Sequence, residues 1–174
     1  SLTFDTEDYP NKTIPMGDAN LVKPLYEDSH IIVVNKPEGM KTHGNKPTEI
    51  ALLNHVSAYC RQTCYVVHRL DMETSGAVLF AKNPFILPIL NRLLEDKMIQ
   101  RQYWALTEGK FQTKKTVYKD KIGRDRHDRR KRVVDPRKGQ SAYTTVTRLK
   151  TFEGASLVNC QLKTGRTHQI RVHL

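Results

Sequence analysis

The chain has 174 residues, enough for one domain with a buried core that needs neither disulfides nor a structural metal. Its 29 Lys and Arg exceed its 18 Asp and Glu by 11, and a pI of about 9.7 makes the surface attractive to polyanions, nucleic acid first. No apolar run approaches the roughly 18 residues that a membrane helix needs, and Ser1-Leu2-Thr3-Phe4-Asp5 lacks a signal-peptide pattern, so a soluble cytoplasmic protein is expected.

Residues 1–20 are polar and interrupted by Pro10, Pro15 and Gly17, which predicts an arm or linker ahead of a folded domain over 21–174. Ile31-Ile32-Val33-Val34, stopped by Lys36-Pro37 and Gly39, predicts a buried strand and then a loop to Gly44. A helix is predicted from Thr48, as a cap, to Tyr59, with Ile50, Leu53 and Val56 at helical spacing. Cys60 and Cys64 have neither a second cysteine pair nor suitably spaced histidines for zinc, so free thiols in a reducing compartment are expected.

Tyr65–Val67 and Ala77–Ala81 read as strands around the polar loop His68–Gly76, and Ile86, Leu87, Leu90, Leu93 and Leu94 form a helical stripe within 84–97. Further strands are predicted at Tyr103–Leu106, Thr116–Lys121, Ala142–Leu149 and Ser156–Leu162. Strands joined by short turns, with helices inserted twice, predict an α+β fold with a mixed, mainly antiparallel sheet flanked by a few helices. Between Gly123 and Lys138, eight Lys or Arg face three Asp. That stretch is too charged for a core and predicts an exposed hairpin or loop, with Arg130, Lys131 and Arg132 suited to phosphate contact.

Two segments are chemically dense, His68–Gly76 and Lys163–His173. Asp71 follows Arg69 by two positions, which keeps the two side chains neighbours in an extended stretch or a turn, and a guanidinium keeps a carboxylate charged and aimed. Arg171 alternates with Ile170 and Val172, which on a strand would turn it away from the apolar side. Taken singly, each residue has an ordinary reading: Asp71 as a cap or half of a surface ion pair, Gly165 as a turn residue, the arginines as surface charges, and His68, His168 and His173 as satisfied or solvated imidazoles.

Whole motifs shift that balance. His68-Arg69-Leu70-Asp71-Met72-Glu73-Thr74-Ser75-Gly76 resembles the HRLDxxTSG signature of the RluA-type pseudouridine synthases. Gly165-Arg166-Thr167-His168-Gln169-Ile170-Arg171-Val172-His173 resembles that family's late GRTHQIRVH motif, Lys36-Pro37-Glu38-Gly39 its early KPxG segment, and Arg101-Gln102-Tyr103-Trp104-Ala105 a looser aromatic motif. The four stand in family order across residues 21–174. The resemblance implies a catalytic core in which Asp71 is the catalytic carboxylate, Tyr103 lies against the target base and Arg171 partners Asp71. Arg69 would fill the space left by a flipped nucleotide, and Ile170 would pack beside the base. It also implies that no metal or organic cofactor takes part.

Such an enzyme isomerises uridine in structured RNA, rRNA first with tRNA as the alternative, and no obligate protein partner or membrane is implied. The target must leave its stack, at a cost of a few kcal/mol offset by pocket and phosphate contacts. Asp71 could add to C1′ or stabilise charge there, and Tyr103 could remove the C5 proton or mainly stack. A nucleosidase pairing Asp71 with Glu73, or an RNA-binding module without catalysis, are the rival readings, separated by whether RNA yields pseudouridine, free uracil or retention only. The alternation Ile170, Val172, Leu174 at the chain end is expected to continue into more sheet and pocket, and an upstream RNA-binding domain is expected before residue 1.

Overall fold

A computed structural model describes residues 14–174. The chain divides into two compact units, Ser1–Leu93 and Leu94–Leu174, and the predicted arm lies outside the described residues over 1–13. In the first unit a four-stranded sheet has the order β1-β2-β4-β3, with β1 at Pro24–Glu27, β2 at Ile31–Lys36, β3 at Tyr65–Val66 and β4 at Gly76–Ala81. Asp28 closes the β1–β2 turn, its Oδ1 accepting from the amides of His30 at 2.7 Å and Ile31 at 2.9 Å. Period-two alternation buries Ile32, Val34 and Lys36 on one face of β2, opposite Phe80, Val78 and Gly76 of β4.

Helix α1 spans Leu52–Cys60 and begins later than the sequence predicts. Thr48 does not cap it. Asn54 does part of that work instead, its side-chain oxygen accepting from the Ala51 amide at 2.9 Å. Ile50, expected on the helical stripe, lies outside α1 and is exposed, while Leu52 and Val56 are fully buried. A 3-10 turn at Ala19–Leu21, capped by Asp18, precedes β1. Gly17 donates to the Asn54 carbonyl at 3.0 Å, so close to α1 that a Cβ there would meet the His55 ring at 2.4 Å. Helix α2, Ile86–Glu95, turns the predicted stripe inward, with Leu90 buried and Ile86, Leu87, Leu93 and Leu94 half-buried.

The second unit holds the sheet β5-β10-β9-β6, built from Arg101–Glu108, Ala155–Leu162, Thr144–Phe152 and Lys115–Tyr118. Its core is Val146, Val158 and Cys160, with Tyr103, Ala105, Phe111, Tyr118 and Ile170 packed against it. The basic stretch forms the expected exposed hairpin, β7 at Ile122–Arg124 against β8 at Arg132–Val134. Every ladder between named strands is antiparallel. An α+β fold with few helices is therefore what the chain adopts.

One expectation is corrected at the chain end. Gln169–His173 is a short helix, α3, rather than an alternating strand. Side-chain bonds decide this. Gln169 is buried, accepts from the Thr164 hydroxyl and the Arg166 amide, and donates to Tyr143 O and Thr144 Oγ1. His173, four residues on and so on the same helical face, is buried between Thr144 Oγ1 at 2.8 Å and Asp120 O at 3.0 Å. A strand would put both side chains on one face too, but it would leave Val172 N–H and Leu174 N–H without the His168 and Ile170 carbonyls they reach.

Candidate active site

In the first unit the structure holds Asp71 on a turn whose backbone is bound on all sides. Strand β3 ends at Val66, and His68 extends that edge by accepting from the Leu79 amide through Nε2 at 3.0 Å. Leu70 is buried, and the Thr42 hydroxyl serves it twice, donating to Leu70 O at 3.0 Å and accepting from Leu70 N at 3.1 Å. Asp71 O accepts from Thr74 N at 3.0 Å, closing the turn. Met72 O accepts from Gly39 N at 2.8 Å and from Lys36 Nζ at 3.1 Å.

Lys36 is the unexpected member of this group. Its side chain is fully buried, and its ammonium donates also to Pro37 O at 2.9 Å and Met40 O at 2.6 Å. It faces Gly76 across the ladder, so no cross-strand side chain competes for the space. Gly76 has φ +130° with nothing near a hypothetical Cβ, so backbone conformation, not room, demands glycine there. Burial pulls the Lys36 ammonium below the usual lysine range, and the negative charge of Asp71, then of Glu73 and Glu38, pulls it back up. A buried cation thus sits within electrostatic reach of the predicted catalytic carboxylate.

Asp71 is half-buried while Arg69 and Glu73 are exposed. The Arg69 charge acts on His43, which is held below the ordinary histidine range first by burial and then by Arg69, with Glu49 opposing. Arg69 and His43 therefore share one neighbourhood, as the loop 39–44 runs beside 69–72.

The second unit gathers the remaining predicted residues. Tyr103 and Ile170 pack against the same Val146, Val158 and Cys160 cluster. Arg171 of α3 and His168 just before it line a cleft of about 450 Å³ together with Arg130, Lys131 and Arg132. The basic hairpin and the late motif, far apart in sequence, are thus one surface. Within the hairpin loop Asp125 and Asp128 act as turn-formers, accepting from the amides of His127, Asp128 and Arg130. Asp128 also pairs with the Arg130 guanidinium at 3.1 Å.

The sequence profile of a family described as RNA pseudouridylate synthase matches residues 30–174, which contain all of these groups. The chain belongs to that family. Among its relatives, the Bacillus subtilis protein named uncharacterized RNA pseudouridine synthase YhcT is 46% identical over 158 residues, covering 86% of this chain and 52% of the relative. The Neisseria meningitidis serogroup A protein named ribosomal large subunit pseudouridine synthase D is 40% identical, with 86% of this chain and 41% of the relative covered. This chain spans about half the length of the curated relatives it matches. The solved structure of human RNA pseudouridylate synthase domain containing 4 superposes with TM-score 0.69 at 27% identity, over 87% of this chain and 63% of that one.

Two residues hold the Asp71 turn in this pseudouridylate synthase chain: Lys36, which the sequence marks only as part of the KPxG segment, and Thr42, which it does not mark. Lys36 carried a readable signal: period two puts position 36 on the buried side with Ile32 and Val34, where a lysine must find acceptors. Thr42 carried none. Among the described residues no group of three or more His, Cys, Asp or Glu could hold a metal, and no helix is long and apolar enough to cross a membrane.

Proposed function

We propose that this chain supplies the catalytic core of an enzyme that isomerises specific uridines in structured RNA, rRNA first and tRNA second, to pseudouridine in the cytoplasm. The observation that carries it is the Asp71 turn: a half-buried carboxylate on a backbone clamped by Thr42, Gly39 and Lys36, inside the matched family region. Rigid anchoring of that kind is what a reacting carboxylate needs, because small displacements cost large factors in rate.

In the reaction the C1′–N1 bond breaks, the uracil turns, C5 joins C1′, C5 gives up its proton and N1 gains one. Asp71 either adds to C1′ or stabilises the positive charge that develops there. Tyr103, held by the Val146 cluster, lies against the base as a stacking surface or proton acceptor, with Ile170 beside it. Arg171 contributes positive charge, Arg69 fills the vacated stack, and Arg130, Lys131 and Arg132 add salt-dependent contacts to phosphates.

The test is Asp71→Asn in the full chain, assayed on total rRNA and tRNA by mass spectrometry of nucleosides. Pseudouridine formation is expected to vanish while circular dichroism and RNA binding persist. Substantial turnover by the variant, or free uracil instead of pseudouridine from the parent, would overturn the assignment.

A further inference from the structure

We propose that the second unit carries a seat for one RNA phosphodiester, formed by Arg124, Arg132, Lys138 and Arg166. This deepens the reading above and rests on RNA being the substrate. The four side chains line a cleft of about 340 Å³ together with Gln140 and Thr167 among others, and no Asp or Glu lines it. That volume lies in the range of small-ligand clefts.

Three separate segments are tied together to make it. Ile122 of β7 and Gln140 exchange both backbone hydrogen bonds at 2.9 Å, which fastens the 135–140 loop along the hairpin. Gly139 packs so closely that a Cβ would lie 2.4 Å from Asp135 O, so Lys138 is delivered at a set place. On the third segment Arg166 donates from Nε to Ser141 O at 3.0 Å, while its amide donates to Gln169. Arg132 is restrained by the carbonyls of Arg129 and Lys131 at 3.0 and 3.2 Å. Asp135 stands beside Gly123; its Oδ1 accepts from the amides of Arg137 and Lys138, and its charge offsets part of that of Arg126 and Lys138.

A second observation points independently to an anion. Arg124 and Arg132 are direct partners across the antiparallel hairpin. Like charges in that position destabilise a ladder, and an anion between them offsets the repulsion. The residues lining the cleft include no aromatic ring on which a base could stack, so the backbone, not a base, is the group it takes. Arg132 also lines the cleft that contains Arg171. The phosphate held here therefore belongs to a nucleotide close to the one approaching Arg171. Arg130, at the hairpin tip, is a weaker candidate because its charge is already paired with Asp128.

The experiment measures binding of the full chain to a fluorescent RNA hairpin as a function of salt. Arg124→Gln, Lys138→Gln and Arg166→Gln should each weaken binding at low salt, and because these cations share one phosphate the variant combining all three should lower the slope of log affinity against log salt by about one. Lys110→Gln, outside the cleft, should lower affinity and slope by clearly less. Arg124→Gln should also raise the thermal midpoint without RNA, an outcome opposite to that of a residue needed only for folding. Neutral methylphosphonate linkages, placed one at a time, should reveal one position that weakens the parent but leaves Arg166→Gln unaffected. Equal slopes for cleft and control variants, or independent effects at every linkage, would remove the seat. Pseudouridine formed without the expected slope loss in the cleft variants removes the seat alone, whereas that slope loss without pseudouridine from the parent removes the proposed reaction alone.

Discussion

Replacing Lys36 by Met keeps most of the side-chain volume and deletes an ammonium that serves three carbonyls. Met72 O keeps the Gly39 amide, so Pro37 O and Met40 O are the acceptors that lose the lysine. Pro37 is exposed, so water can serve its carbonyl, and the half-buried Met40 O is the acceptor left stranded, at a gross cost of about 1–3 kcal/mol. Removing a buried charge recovers part of that, because burial is what depresses the Lys36 ammonium in the first place. A net loss of about 1 kcal/mol follows, equivalent to a fall in Tm of roughly 2–4 °C for a chain of this size. Function should suffer more than stability. With the 36–40 loop and the 71–74 turn no longer joined by a cation, Asp71 loses both its anchor and a compensating charge. We expect kcat for pseudouridine formation to drop at least about tenfold with a smaller change in KM, the pattern of a lost transition-state contribution. Lys36→Arg should not restore it, because a fully buried site shaped for a point charge has no room for a planar fork. Thermal melts and initial rates on the same preparations decide the matter. An unchanged Tm and kcat in Lys36→Met would refute the view that this lysine holds the turn.

Thr42→Val preserves shape while depriving both Leu70 N–H and Leu70 O of their partner, and should cost about 2 kcal/mol or more in denaturant unfolding; a loss under about 0.5 kcal/mol would show that the clamp is dispensable. His43 prefers its neutral form in the folded chain, so below the ordinary value of 6.5 the unfolded state binds more protons. Its contribution is therefore complete above pH 6.5 and is lost as pH falls through its lowered folded value. His43→Gln should flatten the stability profile in that window, and an identical profile would exclude the histidine. The Cys60 thiol is drawn below the usual cysteine range by its hydrogen bond with Cys64, whereas burial raises Cys160 to about 11. Iodoacetamide under native conditions should thus label Cys60 first, read by peptide mass spectrometry; earlier labelling of Cys160 would contradict this.

Most strands and the two longer helices are legible in sequence because each rests on a local period, whereas β1, exposed along its whole length, has no such period and is not. Ile31–Val34 alternates, 86–94 follows a helical stripe, and the charge of 123–138 forbids a core position, so those elements appear where expected. The α1 start and α3 were misread for a shared reason. Thr48 looked like a cap, but the Asn54 side chain takes the Ala51 amide, and the Ile170-Val172-Leu174 alternation was overruled by Gln169 and His173 bonding to β9. Both outcomes depend on partners that local periodicity does not encode.

The chemistry divides along the same line. Asp71, Tyr103 and Arg171 could be nominated from residue type and motif order, since those properties travel with the chain itself. Only the folded chain shows a buried Lys36 and Thr42 gripping the Asp71 turn, or Arg124, Lys138 and Arg166 meeting around one cleft. Those groupings arise from ladder register and loop packing between residues many positions apart, and hydrogen bonding, charge and burial act on distance in space rather than along the sequence.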